Sequence, residues 1–218
     1  GMIGEWLGVQ KEKEIADTII DNPSGSATSG QGNQYEWRGT QYATYDTGTN
    51  WTNSAANQLA DYTDIENAEA LFDNMTDPQT GEPIMIGGNR TMLVMPHNRF
   101  LASRLSGATE IRTGTDPLTI GNNPWKGLDI QVSHFLYRRI INGGNAGTAV
   151  MASNAQEYWY WGDFQKAFHW LEHWPLIVEQ QGSGSHWDCT RDVPTSYTAR
   201  YCGTAATDQP RYVVRSTN

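Results

Sequence analysis

The amino-acid sequence predicts a mixed helix-and-strand fold of the α+β class, and two periodicities carry that expectation. Apolar residues recur at helical spacing near the start and again after residue 63, whereas alternation dominates after residue 158. No repeat with a period of about 20 to 50 residues is visible, which removes solenoids and propellers. At 218 residues the chain can bury a sizeable core without disulfide staples.

Element by element, Ile3, Trp6, Leu7, Ile15, Ile19 and Ile20 with charges between them predict an amphipathic helix that stops at Asp21-Asn22-Pro23. Residues 23–34 hold no bulky apolar group and read as a flexible loop. Tyr35, Trp37, Tyr42, Tyr45 and Trp51 then punctuate polar residues, as in short strands or irregular chain. Thr63-Asp64-Ile65-Glu66 has the form of a capping box, and Ile65, Ala68, Leu71, Phe72 and Met75 make one stripe of a helix that ends before Asp77-Pro78.

Met92 to Met95 predict a buried strand, and Pro96 opens a helix bearing Phe100, Leu101 and Leu105. Asn122 to Gly127 form a turn, after which Leu128, Ile130 and Val132 alternate as in a half-buried strand. A small-residue loop occupies 143–149. From Tyr158 the chain reads as a strand, a Gly162-Asp163 turn, and a second strand with Phe168, Trp170, Trp174, Leu176 and Val178 on one face. A Gly182-Ser-Gly-Ser loop follows. Two further strands are expected, Trp187 to Tyr201 and Arg211 to Arg215, separated by Gly203 to Pro210.

Charge excludes several functions. Fifteen basic against 24 acidic residues give a net charge of −9, and no window holds a basic block, so gripping of phosphate backbones is not expected. Apolar runs such as Met92-Leu93-Val94-Met95 fall far short of the roughly 20 residues a bilayer-spanning helix needs, so no membrane partner is expected. Met2 to Trp6 run directly into Lys11-Glu12-Lys13-Glu14, without the pattern of a secretory leader. Two cysteines, Cys189 and Cys202, exclude a disulfide-dense scaffold and favour a reduced intracellular origin, and their pairing stays open. Nine Trp and 10 Tyr beside 5 Phe suit packed interfaces, sugar platforms, or a rigid core with satisfied polar ring edges.

Catalytic patterns fare poorly. His169-Trp-Leu-Glu172-His173 spells a zinc metallopeptidase helix, but the alternating aromatics and Pro175 predict a strand, which puts Glu172 on the opposite face from both histidines. His97, His134 and His186 are isolated, and His186 with Cys189 lacks a second close-spaced pair for a structural zinc. Neither cysteine carries a nucleophile signature, and no Gly-x-Ser-x-Gly elbow or phosphate-binding glycine loop occurs. Acidic residues with abundant Trp leave a glycosidase cleft open in principle, but no acidic pair stands in a telling context. Asn74-Met-Thr76 and Asn89-Arg-Thr91 match glycosylation acceptors by accident of spelling. No catalytic, cofactor-binding or metal-ligating residue is assigned, and no cofactor is expected.

The order and wording of segments resemble the major capsid (major head) proteins of tailed bacteriophages, whose fold also builds encapsulin shells. The helix Thr63 to Met75, the turn Asp77 to Pro83 and the strand-helix at Met92 to Pro96 look like the start of that family's axial domain. Asn122 to Gly127 resembles its turn into a central strand. Tyr158 to Phe164 and Trp174 to Val178 are similar to its next strands, and Arg191 to Tyr201, Gly203 and Asp208 to Arg215 to its closing pair.

The first helix would correspond to the spine helix of the peripheral domain. The resemblance implies a peripheral part with spine helix and loop over 1–59, a mainly axial domain over 60–180, and terminal strands returning to the peripheral domain over 181–218. It implies a structural virion subunit of a phage or prophage, assembled in the bacterial cytoplasm. Copies would self-assemble through pentameric and hexameric rings into an icosahedral shell, with double-stranded DNA packaged nearby and not read. An encapsulin-like compartment and a Trp-rich carbohydrate-binding module are the alternatives. The family's N-terminal arm and extended loop have no counterpart ahead of the first helix. Any one of Trp37, Trp51, Trp125 and Trp187 is expected in the core before an interface.

Overall fold

The computed structural model describes residues 2–20, 35–38, 40–42, 44–45, 52–77, 79–112, 120–142, 155–181 and 196–216. Helix α1 spans Met2–Ile20. Leu7, Ala16 and Ile20 are buried along it, whereas Trp6 and Val9 face solvent, so only part of the expected stripe is covered. Strands β1 (Tyr35–Trp37) and β2 (Thr40–Tyr42) form a hairpin whose two-residue connection puts Arg38 at φ 49°, the left-handed conformation such tight turns demand. Strand β3 is the short pair Ser54–Ala55. The loops expected over 23–34, 143–149 and 182–185 lie outside the described residues.

Helix α2 runs Tyr62–Asp73, with Ile65, Ala68 and Phe72 buried as its stripe predicts. Its capping box is built two residues earlier than the Thr63–Glu66 reading. Asp61 accepts from the Thr63 amide, and Asp64 accepts back from the Asp61 amide at 3.0 Å. An aspartate caps as well as a threonine, and here its carboxylate also engages the Thr63 hydroxyl, which binds Thr63 into the first turn. Strand β4 (Thr91–Val94) leads through the 3₁₀ turn Pro96–Asn98 into α3, Arg99–Gly107. Leu101 and Leu105 pack on the core while Phe100 points to solvent.

The hairpin β5 (Glu110–Arg112) and β6 (Ile120–Asn122) precedes β7, Asp129–Val132, whose Ile130 and Val132 are half-buried as the alternation predicts. Helix α4, His134–Asn142, is absent from the sequence reading. Ser133 Oγ accepts from the Leu136 amide at 3.0 Å to start it, and Leu136 and Ile140, one turn apart, are buried.

After the 3₁₀ turn Ala155–Glu157 come β8 (Trp159–Gly162), the single helical turn α5 (Phe164–Ala167), and the long strands β9 (Phe168–Gln181) and β10 (Ser196–Thr207). The 3₁₀ turn Pro210–Tyr212 leads into β11, Val213–Ser216. Gly203 therefore does not end a strand: β10 continues through it to Thr207, and the separator shrinks to residues 208–212.

Five strands form the central sheet in the order β3-β11-β8-β4-β7. β8 is antiparallel to both neighbours, and the outer pairs are parallel. Alternation splits its side chains between two cores. Trp159 and Trp161, with Met92, Val94 and Val214, pack against α2 and α3, while Tyr160, Leu93, Met95 and Val213 pack against α1 and α4. A strand covered on both faces reads as an unbroken apolar run, which is what Tyr158-Trp-Tyr-Trp spells. Gly162 ends β8 at φ 149°, and a Cβ there would stand 2.0 Å from the Tyr212 carbonyl oxygen, so only glycine fits. Two polar ties cross the assembly of elements. Asn53, fully buried, donates to the carbonyls of Thr44, Pro210 and Val213 at 2.7–3.2 Å. Arg139 of α4 clasps Asp17 of α1 with both carboxylate oxygens engaged, the Nε contact at 2.7 Å.

Strands β9 and β10 stand apart as a two-stranded antiparallel ribbon. Its register is broken twice. Trp174 faces Cys202 while Glu172 faces Gly203, which leaves His173 as an extra residue, and a second extra residue lies between Trp174 and Ile177. The single aromatic face expected from strict alternation is thereby divided: Phe168 and Trp170 share a face with Thr207 and Ala205, and Trp174 falls on the other.

Candidate assembly surface

The ribbon is fastened at its root. The Asp208 amide donates to the Ala167 carbonyl at 2.9 Å, and His169 Nε2 lies 3.2 Å from Asp208 Oδ2. Helix α1 crosses one face. Lys11 Nζ sits 4.6 Å from the Trp170 ring centroid, and Trp170 stacks on Tyr201 at 6.4 Å. Gly203 makes room for that indole, since a Cβ would come within 2.7 Å of it. Burial under the helix raises the Tyr201 phenol above its ordinary value, with the Glu14 carboxylate adding to the rise. Glu14 is itself pushed up, first by burial and then by the like charge of Asp17, against the pull of Lys13.

Farther out the cover ends, and residues 171–180 are all exposed. Ten large hydrophobic residues are exposed among the described residues, and six of them belong to this ribbon: Leu171, Trp174, Leu176, Ile177, Val178 and Tyr197. At roughly 3.3 Å per residue, β9 extends about 45 Å. A lone two-stranded ribbon is marginal in water, and a clustered apolar surface of this kind is a candidate contact surface.

The residues singled out for catalysis are not brought together. His169, Glu172 and His173 lie on β9, where His169 and Glu172 face opposite sides and His173 is the bulged residue. His97 and His134 are exposed at separate helix starts, Cys202 is exposed on β10, and His186 and Cys189 lie outside the described residues. Asn74 caps the end of α2 by donating to the Ala70 carbonyl, and Asn89 is exposed. Among the described residues no three His, Cys, Asp or Glu side chains are grouped to hold a metal, and no helix is long and apolar enough to cross a membrane. A cleft of about 840 Å³ beside β7 has Asp129, Asp163, Arg90 and Lys126 on its walls. Arg90 is committed to Glu69 at 2.7 Å, and Asp163 caps α5. Trp125 packs edge-to-face on Trp161 at 5.6 Å, partly buried against the core rather than within it. Trp51, Trp187 and the side chain of Trp37 lie outside what is described. Trp6 and Trp174, the exposed tryptophans among the described residues, were not distinguished by sequence reasoning; Pro175, which cannot donate to a ladder, signalled only that β9 is irregular beside Trp174.

The described residues thus form a mixed sheet with helices on both faces and a two-stranded ribbon with exposed apolar side chains. A family model described as "Phage capsid protein" matches residues 1–216, and the chain belongs to that family. A solved structure entitled "Capsid structure of the Cyanophage P-SCSP1u" is similar over 99% of this chain at 15% identity, with a TM-score of 0.50, and shows the same α+β capsid fold. The chain spans 63% of the length of that capsid chain. A sequence comparison with curated proteins finds no match.

Proposed function

We propose that this chain is a structural subunit of a phage capsid, part of the virion, which self-assembles into an icosahedral shell around double-stranded DNA. The observation that carries the reading is the β9–β10 ribbon in a chain of the phage capsid family: its large apolar side chains are exposed among the described residues, a surface suited to protein contact. A shell with five- and six-fold rings requires heterologous contacts, each subunit presenting different surfaces to successive neighbours. The ribbon supplies one such surface. The subunit acts by binding rather than turnover; the walls of the cleft beside β7 have their arginine and one carboxylate already engaged in the fold.

A net charge of −9 fits a container that encloses DNA without gripping its phosphates. The division into a peripheral part over 1–59 and 181–218 and an axial part over 60–180 belongs to the same proposal, and the packing of α1 against β10, with Glu14 beside Tyr201, supports a unit joining the two ends of the chain. Assembly in the bacterial cytoplasm follows from the reading. The test is production of the complete protein in bacteria, with light scattering and negative-stain electron microscopy of the purified material. Closed particles of uniform size are expected; a monomer at all concentrations would refute the reading.

A further inference from the structure

We propose that Trp174 is the anchor of a contact between this chain and a second copy of itself, made through the outer face of the β9–β10 ribbon. The inference rests on the shell-subunit reading and adds which face and which side chain make the contact.

Helix α1 covers the face that carries Trp170, Tyr201 and Ala205 only at the root of the ribbon; farther out both faces are open, with Val178 and Tyr197 exposed on the α1 side and a longer apolar stripe on the other. In a regular ribbon Trp174 would share the α1-facing side with Trp170, four residues before it. The extra residue at His173 reverses that, because Trp174 pairs with Cys202 and lies on the side of Leu171, opposite Thr204. The second irregularity keeps Ile177, opposite Arg200, on this same side. Two bulges thus convert a two-residue period into a spacing of three and line up Leu171, Trp174 and Ile177 as one outward stripe. They are 56%, 57% and 42% exposed. His173 also stacks on the Trp174 indole, centroids 5.4 Å apart and planes 26° from parallel, which restricts the ring before any partner arrives.

The occupant follows from charge. At one end of the stripe Arg200 pairs with Glu179 at 2.8 Å, and at the other His169 Nε2 lies 3.2 Å from Asp208 Oδ2. The stripe therefore has an apolar centre and a polar rim whose groups are engaged with one another, the anatomy of a protein interface. Among the described residues it offers no unpaired arginine or lysine to nucleic acid or to an anionic membrane. A second copy carries the same excess of negative charge, and this face is one where the two can meet without opposing like charges.

The test uses the complete protein and the thiol of Cys202, exposed directly across from Trp174. Sedimentation velocity on wild type, Trp174→Lys and Leu171→Lys gives the concentration at which each associates, with far-ultraviolet circular dichroism to confirm the fold. Loss of a central aromatic anchor is expected to raise that concentration about 30-fold for Trp174→Lys. N-ethylmaleimide labelling, read on the Cys202 peptide by mass spectrometry, is expected to slow about tenfold in wild-type assemblies relative to free subunits. Assembly of Trp174→Lys at the wild-type concentration, or equal labelling of Cys202 in free and assembled protein, would overturn the anchor while leaving the shell reading intact. A wild-type chain that never associates would overturn both.

Discussion

The central sheet and the β9–β10 ribbon are both rich in aromatic and branched residues, yet they treat them in opposite ways. In the sheet, Trp159, Tyr160 and Trp161 are essentially without exposure, with helices covering both faces. In the ribbon, helix α1 reaches Trp170 and Tyr201, and the next ten residues of β9 lie in solvent. What separates them is cover, and composition alone does not reveal it. The sheet completes its hydrophobic contacts within one chain, whereas the ribbon's large apolar side chains stay exposed among the described residues.

Substitutions should divide along the same line. The largest effects belong to the sheet: Trp161→Ala removes a fully buried indole that also donates to Glu69 at 2.9 Å, and is expected to cost about 3–5 kcal/mol in urea unfolding. A cost below about 1 kcal/mol would show that the core is not packed as described. Arg139→Met leaves the Asp17 carboxylate, 2% exposed, without its guanidinium and should cost about 3–5 kcal/mol, most of it recovered by adding Asp17→Leu. Failure of the double variant to recover would assign Arg139 a role beyond the pair. Gly162→Ala forces a Cβ against the Tyr212 carbonyl and should cost about 2 kcal/mol or more, read as a lowered melting temperature. By contrast Val178→Lys on the ribbon should leave the stability of the free subunit within about 0.5 kcal/mol. A large loss there would mean the ribbon is covered after all.

The smallest effect is one of pH. Asp77 sits below its ordinary value because its carboxylate accepts from the amides of Thr80 and Gln79, with the Arg38 charge assisting. Its contribution is present above pH 3.8 and is lost as the pH falls through its lowered value in the folded chain. Asp77→Asn should flatten that acid limb in a thermal melt series, and an unchanged limb would contradict the assignment. Glu14 runs the other way. Its raised value makes ionisation cost stability as the pH climbs past 4.5, so Glu14→Gln should help more at neutral than at acid pH.

Much of the body was legible because its local and tertiary signals agree. The Met92–Met95 run, the alternation of Ile130 and Val132, and the stripe of α2 each name their elements, and the continuous run at 158–161 names a strand buried on both sides. Helix α4 carries a clear helical stripe, with Leu136 and Ile140 buried and Arg138 exposed between them; it escaped because it is only nine residues long and starts two residues after the end of β7. The capping box was displaced because Asp61 and Asp64 compete with Thr63 and Glu66 for the same pattern. In the ribbon, alternation identified a strand but not its faces. Two bulges around His173 and Pro175 invert the side on which Trp174 falls, and register is a property of pairing that no single strand encodes. The absence of a helix at His169–His173 was legible from the same alternation, so the metallopeptidase spelling lost its geometry before any coordinates were needed.

Hydrogen exchange by mass spectrometry, on the complete protein before and after assembly, tests the contrast between body and ribbon most directly. In the free subunit, amides of β4 and β8 should exchange only with global unfolding, those of β9 and β10 beyond Trp170 much sooner, and assembly should slow the second group selectively. Ribbon amides already as protected as β8 in the free subunit, or unchanged on assembly, would contradict the claim that this surface is completed by a neighbouring chain.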